Sequence, residues 1–340
     1  MEIAVENLET QQSTEVHVEL PTVDQMLATD GYMNSTVANI QANLDLGIYE
    51  KDNVYSIHGL LKELRNSFEK AIFVNPGTSI ESRIDELVEK SKDQGTVVFC
   101  SDVCLPGLLS AGVNVSYVIT LDPNHKTKHF IDNTDLSSIG VIASSASPLH
   151  LYYTTDTNFY LFNSLEETKD FIIRPNESDK ENPTALFGVN LMLEKSRRIN
   201  DALRDAGILR RYAHYLARGT VAVTMFQVAA ELRLPTEFYG FDFYIKDNQP
   251  YAEVISRGVY NKLVNENAVH QDYSFENYTS RIVQSYYEDK LDDERKEKTK
   301  IEHPELGTVY VPPLLALYKE LFLRYIGLTG HTGKNMKFIG

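Results

Sequence analysis

Four short stretches hold the residues of this sequence best suited to an anionic ligand. The first is Asn75-Pro76-Gly77-Thr78-Ser79. There the apolar run Ala71-Ile72-Phe73-Val74 stops at a Pro-Gly turn, and a helix restarts with Thr78 or Ser79 as its cap and Glu81 in its first turn. A strand that turns tightly into a helix leaves free N–H groups and the positive end of a helix dipole at a sheet edge, where phosphates sit. The second stretch is Ser101-Asp102, a hydroxyl and a carboxylate that end the apolar run through Phe99-Cys100 and can accept from ribose or base donors. The third is Asp122-Pro123, closing the run Thr120-Leu121. The fourth is Arg218-Gly219-Thr220-Val221, a glycine and a hydroxyl at a helix start with a cation beside them, followed by the run Phe238–Phe243 that contains Asp242.

Each stretch also has a plain structural reading. Pro-Gly is ordinary punctuation, and Asp or Ser at a strand end often caps the next helix. Placed together at one carboxyl edge, they point to a nucleotide-type pocket bound by Asn75, Gly77, Thr78, Ser79, Ser101, Asp102, Asp122, Gly219, Thr220 and Asp242. His270 and His303, in polar segments that can close over a ligand, are candidates for proton transfer, although a lone loop histidine is usually just exposed.

The elements that must carry these residues alternate. Strands are expected at 71–74, 96–99, 117–121 and 140–143, with short aromatic strands at 150–154 and 158–162 and a further one at 237–241. Helices are expected at 79–91 and 105–111 between them, then at 186–209, 219–232, 274–287 and 314–326. Such alternation predicts an α/β fold: a Rossmann-like, mostly parallel sheet with helices on both faces, a helical N-terminal lead-in and a helical insertion and C-terminal lid. The expected organisation is a flexible arm over 1–22, a helical lead-in over 23–69, a nucleotide-binding domain over 70–260 with a helical insertion at about 174–215, and a C-terminal helical lid segment over 261–340.

With 340 residues and an ordinary 42 % hydrophobic fraction, the chain can bury a sizeable core. Its formal net charge of −15 argues against nucleic acid or an anionic membrane surface as partner, so an anionic ligand must be held by local dipoles and a few cations. Neither a secretory signal nor a long apolar run is evident, and a cytoplasmic protein without a transmembrane segment is expected. Cys100 and Cys104 have no second Cys/His pair at ligand spacing nearby, so they read as small buried side chains rather than a metal site.

The order and wording of these stretches resemble the motility-associated-factor (Maf) flagellin glycosyltransferases and their relatives, the proteins related to archaeal 6-hydroxymethylpterin diphosphokinase. In those families a strand leads into a Gly-Pro-Ser-Leu turn, a second strand ends in Asp, and a third ends in Asp-Pro; here the run from Lys70 to Asp122 is similar. The Gly219–Phe243 run resembles their second motif, and Gly307-Thr308-Val309-Tyr310-Val311 with the following helix resembles their closing segment. The same plan is similar to that of bacterial sialyltransferases that use CMP-sialic acid. The wording departs at Asn75-Pro76-Gly77-Thr78-Ser79, where the family shows Gly-Pro-Ser, and no Asp-x-Asp motif follows a strand.

The resemblance implies inverting, metal-independent transfer of a sialic- or pseudaminic-type sugar from a CMP-activated donor to a hydroxyl of a protein or glycan, with no cofactor. Under that reading His270, then His303, would serve as general base, and tyrosines such as Tyr251, Tyr273 and Tyr310 would stabilise the departing phosphate. Two alternatives stay open: pyrophosphate transfer from Mg-ATP to a pterin alcohol, with Asp102, Asp122 and Asp242 available to the metal, and a non-catalytic nucleotide-binding or assembly protein.

Overall fold

The structure, a computed structural model, describes residues 2–7, 12–17, 28, 30–165, 183–216, 220–270, 273–287, 293–303, 307–329 and 335–339. Within the stretch read as an arm, Glu2–Asn7 (β1) pairs antiparallel with Gln12–His17 (β2). Helix α1, Gly31–Asp45, is capped by Asp30, whose carboxylate accepts from the Met33 amide at 2.8 Å.

The central alternation then runs Val54–Ser56 (β3), Ile57–Ser67 (α2), Lys70–Val74 (β4), Ile84–Ser91 (α3), Thr96–Ser101 (β5), Leu105–Ser110 (α4), Tyr117–Thr120 (β6), Lys128–Ile131 (α5), Gly140–Ser144 (β7) and Phe159–Leu165 (β8). Pro183–Asp205 (α6), Ala213–Leu216 (β9), Val221–Leu232 (α7), Thr236–Tyr239 (β10) and Glu253–Asn265 (α8) follow. The chain closes with Phe275–Tyr286 (α9), Asp293–Lys298 (α10), the antiparallel pair Lys300–His303 (β11) and Gly307–Tyr310 (β12), Pro313–Thr329 (α11) and Met336–Ile339 (β13).

Nine strands form one sheet in the order β13-β10-β4-β5-β6-β7-β8-β3, with β9 also paired to β8, and every pair is parallel. A parallel sheet needs cover on both faces, and alternate residues supply it. In β4 and β5, Ile72, Val74, Val98 and Cys100 pack with Met33 and Ile40 of α1, Leu87 of α3, Leu105 of α4 and Ile255 of α8. Their neighbours Ala71, Phe73, Val97 and Phe99 pack with Leu60 and Leu64 of α2 and with α7 and Phe322 of α11. Helices therefore lie on both faces, as the alternation predicted.

On the second face an aromatic row crosses five strands in register: Phe338, Phe238, Phe73, Phe99 and Tyr117. Ring centroids lie 4.7, 5.5, 4.5 and 5.3 Å apart along it, all stacked. The row ends at Gly140, where an added Cβ would sit 2.5 Å from the Tyr117 ring. The sheet also draws β3 from the stretch read as lead-in and β13 from the stretch read as lid. Of the two short aromatic strands expected around 150–162, only β8 forms; Leu149–Leu151 is a 3-10 turn, held by the His150 amide donating to Asn43 of α1 at 3.0 Å.

Candidate functional site

Chain order along the sheet reverses between β4 and β10: β5 to β8 extend one way from β4, while β10 and β13 lie on its other side. Loops leaving the carboxyl ends on either side of such a reversal diverge and open a crevice. A cavity of about 520 Å³ occupies that place, lined by residues following all four strands from β10 to β6. Two further depressions, of about 620 and 660 Å³, lie at the amino edge of β6 and β7 and beside α8. Neither gathers two carboxylates.

Asn75 and Gly77 after β4, Ser101 at the end of β5 and Asp102 after it, Asp122 after β6 and Thr220 before α7 all line the cavity. Asp102 accepts from the Thr120 hydroxyl at 2.6 Å and from the Val103 amide at 2.8 Å. Burial, reinforced by the charge of Asp122, pushes its carboxyl up to about 6 despite those hydrogen bonds. Asp122 is exposed as a residue, yet the cavity walls withdraw water from its carboxyl and raise its pKa too. The Ser101 hydroxyl donates to Cys104 Sγ at 3.1 Å; both cysteines are free and buried.

The turn after β4 differs from expectation. Thr78–Arg83 is a 3-10 turn, and the α-helix begins only at Ile84. Ser79 therefore has no long helix dipole behind it. Its amide and hydroxyl donate to Asp242 Oδ2 at 2.7 Å and Oδ1 at 2.6 Å. Thr78, Ser79 and Asp242 are not among the residues lining the cavity. A helix N-terminus does face it: Thr220 caps the twelve-residue α7, its hydroxyl accepting from the Ala222 amide, and Val221 joins it in the wall. Arg218 and Gly219, expected beside it, lie outside the described residues.

His270 is exposed after α8, its carbonyl accepting from the Tyr273 amide; His303 sits in β11 with its ring 6.2 Å from that of Tyr244; Tyr310 in β12 bridges Ile245. None of the three lines the cavity, whereas Tyr251 does. Sequence reading missed the other aromatic walls, Tyr32, Phe130, Phe243, Tyr244, Tyr286 and Tyr318. Apart from the adjacent Phe243 and Tyr244, they come from separate elements, so no local spacing links them. Phe243 offers the one backbone signal: it is held at φ 56°, a left-handed conformation rare for a bulky residue. No Lys or Arg lines the cavity among the described residues.

Residues 49–191 match the profile of the family described as 6-hydroxymethylpterin diphosphokinase MptE-like. The matched span, under half of the chain, is similar to an MptE-like core. That core contains Asn75, Asp102 and Asp122, while the α7 N-terminus and Asp242 lie beyond the matched span. Among solved structures, a Maf glycosyltransferase from Magnetospirillum magneticum AMB-1 aligns at 12 % identity with a TM-score of 0.37, over 84 % of this chain and 38 % of its own. This chain thus spans well under two thirds of that protein's length. No curated protein sequence matches the chain significantly. Among the described residues, no helix beside the MptE-like core or within it is long and apolar enough to cross a membrane.

Proposed function

We propose that this protein transfers a glycosyl group from a nucleotide-activated donor, a CMP-linked sialic- or pseudaminic-type sugar, to a hydroxyl acceptor. The observation that carries the reading is Asp102: a carboxyl at the cavity wall, at the end of a central strand, with its pKa lifted to about 6. A base poised near neutral pH can take a hydroxyl proton as the oxygen becomes nucleophilic. The acceptor oxygen then bonds to the anomeric carbon from the face opposite the donor phosphate, the carbon–phosphate oxygen bond breaks, and configuration inverts. The α7 N-terminus, presented by Thr220 and Val221, favours the negative charge gathering on the departing nucleotide. In this proposal Asp102 takes the role considered for His270 or His303, neither of which reaches the wall.

A second reading, transfer of pyrophosphate from a Mg-nucleotide to a hydroxyl, is favoured by one specific feature. Asp102 and Asp122 share a cavity that no described Lys or Arg lines, so a phosphate chain there calls for a cation. Mg²⁺ commonly takes one or two carboxylates and fills its remaining positions with phosphate oxygens and water, which these two residues suit. Thermal-shift titration with CMP, CDP, UDP, GDP and ATP, each with and without Mg²⁺, separates the readings. Stabilisation by CMP without metal supports the first; stabilisation by ATP only with Mg²⁺ replaces it with the second; no shift with any nucleotide removes both.

A further inference from the structure

We propose that Asp242 is a positioning residue whose carboxylate permanently fills the anion-receptive turn after β4, so that the ligand's phosphate is excluded from Ser79 and seated elsewhere in the cavity. This deepens the reading of the sheet rim as the ligand site and rests on it.

The two donors a phosphate would need in that turn, the Ser79 amide and hydroxyl, are both taken by one carboxylate, at 2.7 and 2.6 Å. Hydrogen bonds of this kind to an ionised acceptor are among the strong ones. Two glycines make the approach close. A Cβ at Gly77 would lie 2.6 Å from Asp242 Oδ2 and 2.5 Å from the Gly240 carbonyl, and a Cβ at Gly240, held at φ 72°, would lie 1.9 Å from the Asn75 carbonyl. The Gly77 amide donates to the Gly240 carbonyl at 3.0 Å, the Asn75 amide to Tyr239 at 2.9 Å, and the Pro76 carbonyl accepts from Ala252 at 2.9 Å. The loops after β4 and β10 are thus one unit, pinned by Asp242 at the sheet's reversal point. Burial pushes the Asp242 carboxyl above its ordinary value, opposed by the hydrogen bonds from Ser79 and Tyr244 and by nearby His303, which favour its charged form.

A phosphate beside Ser79 would place a second anion against this one in a space with no room for it. What the turn offers the cavity is its other side. Gly77 and Asn75 line it; Asn75 is only 9 % exposed, and its side-chain Oδ1 has no hydrogen-bond partner among the described residues.

The test follows backbone amide resonances of the full chain while inorganic phosphate or CMP is added. In the wild type the Ser79 resonance stays in place with either probe, and in Asp242→Ala inorganic phosphate moves it saturably. A wild-type Ser79 that moves with either probe, or a Ser79 in Asp242→Ala that ignores phosphate, overturns the proposal. Should the alanine variant not fold, Asp242→Asn keeps the shape but removes the charge. Hydrogen exchange at the Ser79 amide is then expected to quicken at least tenfold, and unchanged exchange overturns the proposal equally. If no wild-type rim amide responds to any nucleotide, the ligand-site reading falls, while the phosphate response of Asp242→Ala still decides the role of Asp242.

Discussion

Asp102 is where chemistry and stability pull against each other. Its carboxyl titrates near 6 in the fold against an ordinary value of 3.8, so between those pH values the native state holds more proton than the unfolded chain. Stability therefore falls as pH rises from about 4 to about 6, and the ionised group costs roughly 3 kcal/mol above that window. Asp102→Asn removes the titration while keeping an oxygen for the Val103 amide, and the Thr120 hydroxyl can rotate to accept instead. The variant is expected to melt higher than wild type at pH 7.5, to lose that advantage toward pH 4, and to lose transfer activity. A pH series of melting curves on both proteins checks it; parallel curves would show that Asp102 is an ordinary surface acid. That Asp102 and Asp122 end strands was legible from the sequence, because an apolar run stopping at a carboxylate is a local pattern. That Ser79 faces Asp242 was not, since 163 residues separate the two.

Helix α1 shows the same contrast between elements. The sequence marked it only as part of a helical lead-in, and its hold on the rim is polar and buried. Asn39 donates to the carbonyls of Pro123 and Ala146 at 2.8 and 3.1 Å, tying the loops after β6 and β7 to one helix. One turn on, Asn43 donates to the Ser147 carbonyl at 2.9 Å and accepts from the His150 amide at 3.0 Å. Both asparagines are fully buried, so cutting one side chain back strands carbonyls that water cannot reach. Asn43→Ala is expected to cost about 2–4 kcal/mol, read as a lower denaturant midpoint at unchanged slope. A loss below about 1 kcal/mol would mean that the loops hold themselves. Because Asn39 fixes the carbonyl next to Asp122, the same helix that carries Tyr32 into the cavity wall also sets the third strand end.

Across the whole molecule, the sheet is completed by segments far outside its repeating middle. Met336–Ile339 adds the edge strand beside β10, and Phe338 ends the aromatic row while remaining 45 % exposed. Ending the chain after residue 329 would strip β10 of that neighbour and take one ring from the row. The truncated protein is expected to melt several degrees lower and to associate through the freed edge of β10, which light scattering during the melt would detect. An unchanged melting temperature would assign β13 no part in holding the sheet.

Local patterning alone determined the class of this fold. Apolar runs of strand length alternating with helical faces leave a parallel sheet covered on both sides as the way to bury them, and their polar ends then fall on one edge. Only the tertiary structure decided how that edge is used. The reversal between β4 and β10 brings together turns distant in sequence, letting a protein carboxylate take the donors that the Asn75–Ser79 turn holds out locally. It also gathers tyrosines from separate elements around Asp102 and Asp122. Hydrogen bonding and burial at that rim depend on which strands become neighbours, a property of the packed sheet that no single stretch of chain encodes.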